Sequence, residues 1–253
     1  MTGEAAPDRT LWTVTGSDAL HFLQGLVSND IRPLEAAPGI VWAALLTPQG
    51  KYLADFFVIR PADGPVLIDI ATALAPATLK RLTMYRLRAD VQIAPSPLHV
   101  RRGLGTPPEG AFPDPRHPAL GWRVYDATEG STPGIDWDAI RVEHLIPETG
   151  IELVPDDTYI LEAGFERLHG VDFRKGCYVG QEVTARMKHK TDLRKGLAQV
   201  RIEGSAPAGS EISAGEKTVG TLFTQSGGHA IAHLRFDQAT GEMRAGDARV
   251  WRA

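Results

Sequence analysis

The chain has 253 residues, of which 43% are hydrophobic and 23% charged, and 27 basic against 31 acidic side chains leave a net charge of −4. That length buries a large core without covalent staples and suits one or two domains, and the acidic balance excludes a bulk polycation that coats nucleic acid. The one cysteine, Cys177, excludes a disulfide framework, a Cys₄ zinc site and an iron–sulfur cluster held by this chain alone.

Residues 1–9 are polar and carry Glu4 and Asp8, without the basic start and apolar run of a secretory leader. No run of 18 apolar residues occurs, so no membrane span and no membrane partner are expected. The expected setting is a reducing cytoplasm with Cys177 as a free thiol. Leu11–Val14 reads as a short strand. Ser17–Val27 then has helical spacing at Leu20, Leu23 and Val27, with Ser17 as the expected N-cap and Asn29-Asp30 as punctuation. Ile40–Leu46 and Tyr52–Ile59 flank Pro48-Gln49-Gly50 and predict a hairpin. Val66–Ile70 predicts a third strand, Ala73–Arg88 a helix, and Val91–Ile93 another strand. This mixture predicts an α+β architecture.

Residues 95–118 hold seven of the 18 prolines and read as a loop or linker. Asp136–His144 has a helical pattern. From about Gly196 the chain changes to short apolar runs, Leu197–Ile202, Val219–Phe223, Ala230–Leu234 and Ala248–Trp251, between Gly-rich turns. That spacing predicts a small barrel or sandwich.

The densest chemistry runs from Tyr159 to Lys190. Gly176 and Gly180 flank Cys177, Arg174 and Lys175 precede it, and Gln181–Met187 has helical character. A thiol on an electropositive loop ahead of a helix is the setting of reactive cysteines. A lone cysteine equally suits a small buried hydrophobe, and the two readings stand level on these residues alone. Lys188, His189, Lys190, Arg194 and Lys195 form a basic cluster that suits either a solvated face or a grip on phosphate or RNA. The eight histidines lack ligand spacing, so no metal site is expected. A phosphate loop, a dinucleotide fingerprint and a serine nucleophile elbow are all missing, which disfavours kinases, NAD-dependent dehydrogenases and serine hydrolases.

Lys175-Gly176-Cys177-Tyr178-Val179-Gly180-Gln181-Glu182 resembles the K-G-C-[FY]-x-G-Q-E signature of the YgfZ family, folate-binding relatives of the glycine-cleavage aminomethyltransferase. Further similarity lies in Gly16–Gly25 with Asn29-Asp30, in Leu46–Lys51 with Leu53–Phe56, in Arg141–Glu148, and in Gly220–Leu222 with Ala230–Arg235. Leu145 stands where the family's R-x-x-x-G-[IV]-P-E stretch has glycine.

The resemblance implies three subdomains in a ring around a folate pocket, closed by a carboxyl-terminal β-barrel. Residues 1–45 with 119–190 would form the first, 46–118 the second and 191–253 the barrel. It implies tetrahydrofolate or a derivative as cofactor, with Glu162 of the L-E-A-G stretch on the pterin edge. Tyr178 or another aromatic would stack on the ring, Arg141, Arg186 or a lysine of the basic cluster would meet the tail carboxylates, and Lys175 would be a further cofactor-binding residue. Cys177 and Asp55 would be the reactive groups, although Ala54-Asp55 lacks one of the two aspartates of the glycine-cleavage enzyme. The implied role is an accessory factor for iron–sulfur proteins or their assembly, with effects on tRNA modification. The alternatives are a folate-dependent one-carbon transferase and direct tRNA binding through 188–195.

Overall fold

Residues 3–189 and 193–253 are described by the structure, a computed structural model. The chain divides into a unit of Met1–Ile135 with Glu166–Gln181 and a unit of Asp136–Phe165 with Glu182–Ala253.

The first unit contains β1 (Glu4–Ala5), β2 (Arg9–Thr15), α1 (Ala19–Gln24), α2 (Pro33–Ala36), β3 (Gly39–Leu46), β4 (Tyr52–Arg60), β5 (Val66–Ala71), α3 (Ala75–Arg86), β6 (Gln92–Pro95), β7 (His99–Gly103), β8 (Phe112–Pro113) and β9 (Trp122–Asp126). The predicted hairpin pairs Ile40 with Ile59 and Leu45 with Ala54. β3, β4, β5, β2 and β6 form an antiparallel sheet in that order, and β1, β7, β9 and β8 form a second.

The period of two decides what each face carries. Ala54, Phe56 and Val58 of β4 join Leu23, Val27, Ile31 and Leu82 from the helices and their connections in one apolar core. The intervening Asp55 and Phe57 point to the opposite face. All six residues of β5 are buried, the pattern of a strand covered on both sides.

On that opposite face lies a buried ionic network. Asp69 accepts from Arg9 Nε at 2.6 Å, from an Arg123 terminal nitrogen at 3.0 Å and from Tyr125 Oη at 3.0 Å. Asp114 accepts from Arg116 Nε at 3.0 Å and from Arg123 Nε at 2.9 Å. The three guanidinium groups lie 5.6, 5.1 and 4.1 Å from the Phe57 ring centre for Arg9, Arg116 and Arg123. Arg123 on β9 thus ties one sheet to Asp69 on the other.

Two expectations change here. The proline-rich stretch 95–118 contains β7 and β8, and β7 sits inside the second sheet. Its sequence, His99-Val100-Arg101-Arg102-Gly103, hides its burial because an arginine, Arg101, is buried in it beside Val100. Ser17 does not cap α1. Its N–H and Oγ both donate to the Asp90 carboxylate, at 2.9 and 3.0 Å, and the helix starts at Ala19.

The second unit contains α4 (Trp137–His144), the bulk of α5 (Gln181–His189), and β10 (Lys195–Glu203), β11 (Glu211–Ala214), β12 (Lys217–Ser226), β13 (His229–Arg235), β14 (Met243–Ala245) and β15 (Ala248–Arg252). Asp136 caps α4, accepting the Ala139 N–H at 2.9 Å. α4 ends at Leu145, which takes a left-handed φ of 53°. That is the position where the resembled motif has glycine, and the conformation explains the preference.

The six strands close into a barrel in the order β10-β13-β12-β11-β14-β15. Val200, Ile202, Ile212, Leu222, Leu234 and Val250 fill its interior, and closure leaves no exposed strand edge. The apolar runs of the sequence mark β10, β12, β13 and β15. β11 and β14, at four and three residues, are too short to announce themselves.

Candidate functional site

The segment around Cys177 is held from both ends. Upstream, Ser28 Oγ donates to Gly170 O at 2.6 Å and Asn29 Nδ2 donates to His169 O at 2.6 Å. Downstream, Gly180 has φ +85°, and a β-carbon there would lie 2.6 Å from Thr47 O and 2.9 Å from Leu46 Cβ. Only glycine lets this loop sit against the β3–β4 turn. Gly176 differs: its φ is not positive, and the space around it is open.

Lys175 is the central anchor. It is 5% exposed. Its ammonium donates to Gln24 O at 2.8 Å, Val27 O at 2.5 Å and Asn29 O at 2.9 Å, the last carbonyl of α1 and two that follow the helix. Three protons meet three acceptors, which leaves the side chain one orientation. Burial pulls the Lys175 pKa down to about 8, against the upward pull of Asp30 and Asp172. Tyr178, also buried, presents its ring to the same ammonium at 5.0 Å. Between these buried neighbours Cys177 is exposed. The thiol faces solvent on a loop fixed at Lys175, Tyr178 and Gly180, an arrangement that can ligate a soft metal or accept a sulfur species without refolding.

Asp55 is 3% exposed. Trp42 Nε1 donates to one oxygen at 2.8 Å and Tyr52 Oη to the other at 2.6 Å. Both donors lie on the same hairpin.

In the second unit, Glu162 lines a cleft of about 100 Å³ together with Glu152, Asp157, Thr158, Lys195 and His233. Glu162 Oε2 lies 3.4 Å from Lys195 Nζ and 3.3 Å from His233 Nε2. Glu162 O also accepts the Leu197 N–H at 2.8 Å, fixing this segment on the barrel.

Arg141 is buried in this unit and bonds the cleft-lining Glu152. Its guanidinium donates to Glu152 at 3.0 Å, Asp138 at 2.8 Å, Thr224 Oγ1 at 2.9 Å and Ile146 O at 3.1 Å. Thr224 Oγ1 in turn donates to Glu152 at 2.5 Å. Arg141 therefore ties α4 to β12 and is not among the cleft-lining groups. Arg186 is exposed and pairs with Glu182 one helical turn away at 2.9 Å. Of the basic cluster, Lys188, His189, Arg194 and Lys195 are exposed, while Lys190 lies outside the described residues.

The seven candidate residues thus divide between the units. Asp55, Lys175, Cys177 and Tyr178 belong to the first, and Arg141, Glu162 and Arg186 to the second. Sequence reasoning missed the carbonyl cradle of Lys175, because main-chain acceptors leave no residue signature. It also missed His233 as a partner of Glu162, since the two are 71 residues apart.

Among solved structures, the chain is similar to the glycine cleavage system aminomethyltransferase T of Bartonella henselae, with a TM-score of 0.74 over 98% of this chain and 85% of that one at 14% identity. The fold is aminomethyltransferase-like, mixed α and β with a closed six-stranded carboxyl-terminal barrel. Residues 194–251 match the CAF17 C-terminal beta-barrel domain. The chain is 31% identical to the mitochondrial iron-sulfur cluster assembly factor IBA57 of Homo sapiens, over 93% of this chain and 78% of that protein. It is 33% identical to the mitochondrial IBA57 homolog of Mycosarcoma maydis, over 81% of this chain and 58% of that protein, so it spans little more than half of the fungal relative. The chain belongs to the IBA57 family.

Two expectations are corrected by these similarities. The family is IBA57, and YgfZ is a related family rather than the one to which the chain belongs. The cytoplasmic setting is overturned as well: the matched IBA57 proteins are named as mitochondrial. A polar segment and a free cysteine do not separate one reducing compartment from another, which is why the sequence misled.

Proposed function

We propose that this chain is an assembly factor for iron–sulfur proteins, in which Cys177 presents a thiolate to a cluster or sulfur species held by a partner protein. The observation that carries this reading is the exposed thiol on an anchored loop, in a family whose human and mouse members are named iron–sulfur cluster assembly factors. One thiol cannot complete a cluster, and among the described residues no group of three His, Cys, Asp or Glu side chains converges on a metal position. The remaining ligands come from the partner, an iron–sulfur protein or another assembly factor. Effects on tRNA modification would follow through iron–sulfur enzymes that modify tRNA. In cells lacking this protein, Cys177→Ala is expected to change unfolding free energy by less than about 0.5 kcal/mol and to fail to restore iron–sulfur enzyme activity. Full restoration by that variant refutes the thiol's role.

Tetrahydrofolate or a derivative is the cofactor this reading assigns to the cleft at Glu162. The site suits it in kind. Glu162 Oε2 is shared by Lys195 and His233, and among the described residues Oε1 has no hydrogen-bond partner, so it can accept from a pterin N–H. The volume of about 100 Å³ is below the ~300 Å³ at which whole-ligand sites begin, so this cleft would take the pterin edge only. Calorimetric titration with tetrahydrofolate should show binding weakened by about 1–3 kcal/mol in Glu162→Ala. Equal affinity in the two proteins removes Glu162 from the site. The one-carbon transferase alternative would use Asp55 as a proton acceptor, and the hydrogen bonds from Trp42 and Tyr52 to both of its oxygens weigh against that.

A further inference from the structure

The stretch from Thr72 to Ala89 contains no carboxylate and carries Lys80, Arg81, Arg86 and Arg88, in a chain whose net charge is −4. Among the described residues none of these four cations forms an ion pair. The first carboxylate beyond them, Asp90, is engaged by the N–H and hydroxyl of Ser17. None of the four is neutralised by an ion pair, and against them stand two carboxylates, Asp90 and Asp18, the latter accepting the Asp90 N–H at 2.9 Å, so this end of α3 keeps a net positive charge.

The same tip displays apolar side chains. Met84 is 62% exposed and Leu87 87%, the two most exposed large hydrophobic residues described. Lys80 and Met84 are one turn apart on α3, and Leu87 directly follows its last residue. Leu87 also closes the helix with φ +47° and ψ −106°. That backbone region favours glycine and is costly for a branched side chain. A leucine here both strains the backbone and leaves its side chain in water, so neither fold stability nor core packing explains it.

From this geometry we propose that the carboxyl-terminal tip of α3 is a docking surface for an anionic lipid bilayer. A bilayer interface meets both requirements of the tip at once. Headgroup phosphates answer Lys80, Arg81 and Arg88, Arg86 being held on Val91 O at 3.2 Å, while the acyl region takes Met84 and Leu87. The long lysine and arginine stems let the charges stay at headgroup level as the apolar pair enters. A nucleic-acid strand would satisfy the cations but leave Met84 and Leu87 in water, and the one aromatic of the tip, Tyr85, is half-buried. The contact is made from one side and requires no crossing segment; no described helix is long and apolar enough to cross.

Co-sedimentation of the full chain with vesicles tests this. Vesicles of equal parts phosphatidylglycerol and phosphatidylcholine should bind the protein and release it as salt rises, whereas phosphatidylcholine alone should not bind. Lys80→Glu with Arg88→Glu should weaken binding at least twentyfold, at about fivefold per cation. Leu87→Gly should weaken it about tenfold while its Tm stays equal to or above the wild-type value, since glycine relieves the backbone. That pairing separates lost docking from lost folding. Failure to bind anionic vesicles, binding indifferent to salt, or wild-type binding by Leu87→Gly overturns the proposal. Salt-sensitive capture by polyglutamate without vesicle binding assigns the tip to an acidic protein and overturns it equally.

Discussion

Asp69→Asn should lower the free energy of unfolding by about 3–5 kcal/mol, the scale for breaking a buried ion pair from one side. The side chains of Asp69, Arg9 and Arg123 are 0, 6 and 4% exposed, so water cannot replace the lost charge. The variant keeps the shape and loses the anion between two guanidinium groups. Burial pushes the Asp69 carboxyl upward, but Arg9 and Arg123 outweigh it and hold the pKa below the ordinary 3.8. The folded state therefore binds the proton less readily than the unfolded chain. The contribution is complete above the ordinary value and is lost as pH falls below it. Urea unfolding followed from pH 7 down into the acid range should show the wild type losing stability below about pH 4, with the Asn variant losing less over the same range. Tyr125→Phe removes one neutral donor from the same carboxylate and should cost only about 1 kcal/mol. Equal costs for the two substitutions would mean that the charge does not hold the sheets together.

The same network shows where the sequence is legible and where it is silent. The hairpin of β3 and β4 can be read because its apolar runs and its Gly50 turn are local. Cys177 stands out because its flanking residues are distinctive in composition. The barrel is visible through four of its six strands. Asp69, by contrast, sits in a strand buried on both sides, where alternation disappears and a carboxylate looks like any polar position. Its partners Arg9 and Arg123 are 60 and 54 residues away. β7 was hidden for a related reason, because burial there includes an ionic side chain rather than only apolar ones. Arg141 and Lys175 look like ligand-binding cations in sequence. Each is in fact directed into its own unit, by acceptors that include main-chain carbonyls. Local pattern identifies the loop and its thiol. It does not identify what holds them, since that depends on partners brought together only by the fold.

Lys175→Met should cost about 2–3 kcal/mol and should lower iron–sulfur enzyme maturation as far as Cys177→Ala does, with the thiol still present. The methionine fills the space but donates nothing, so the carbonyls of Gln24, Val27 and Asn29 lose their shared donor. Each unpaired buried carbonyl costs about 1–3 kcal/mol, and removal of the desolvated charge offsets part of the sum. Hydrogen exchange should locate the damage, with protection falling at 24–31 and 174–180 and unchanged in the barrel. The pH dependence gives a second readout. The buried ammonium titrates at about 8 against an ordinary 10.5, so between those values the unfolded chain binds more protons than the folded one. Wild-type stability relative to the Met variant should therefore rise as pH climbs from about 8 towards 10.5. A difference that stays flat across that interval would place the ammonium in water and remove Lys175 as the anchor of the cysteine loop. Loss of maturation with unchanged exchange at 174–180 would also separate Lys175 from the positioning of Cys177, because a loop that keeps its protection still presents its thiol.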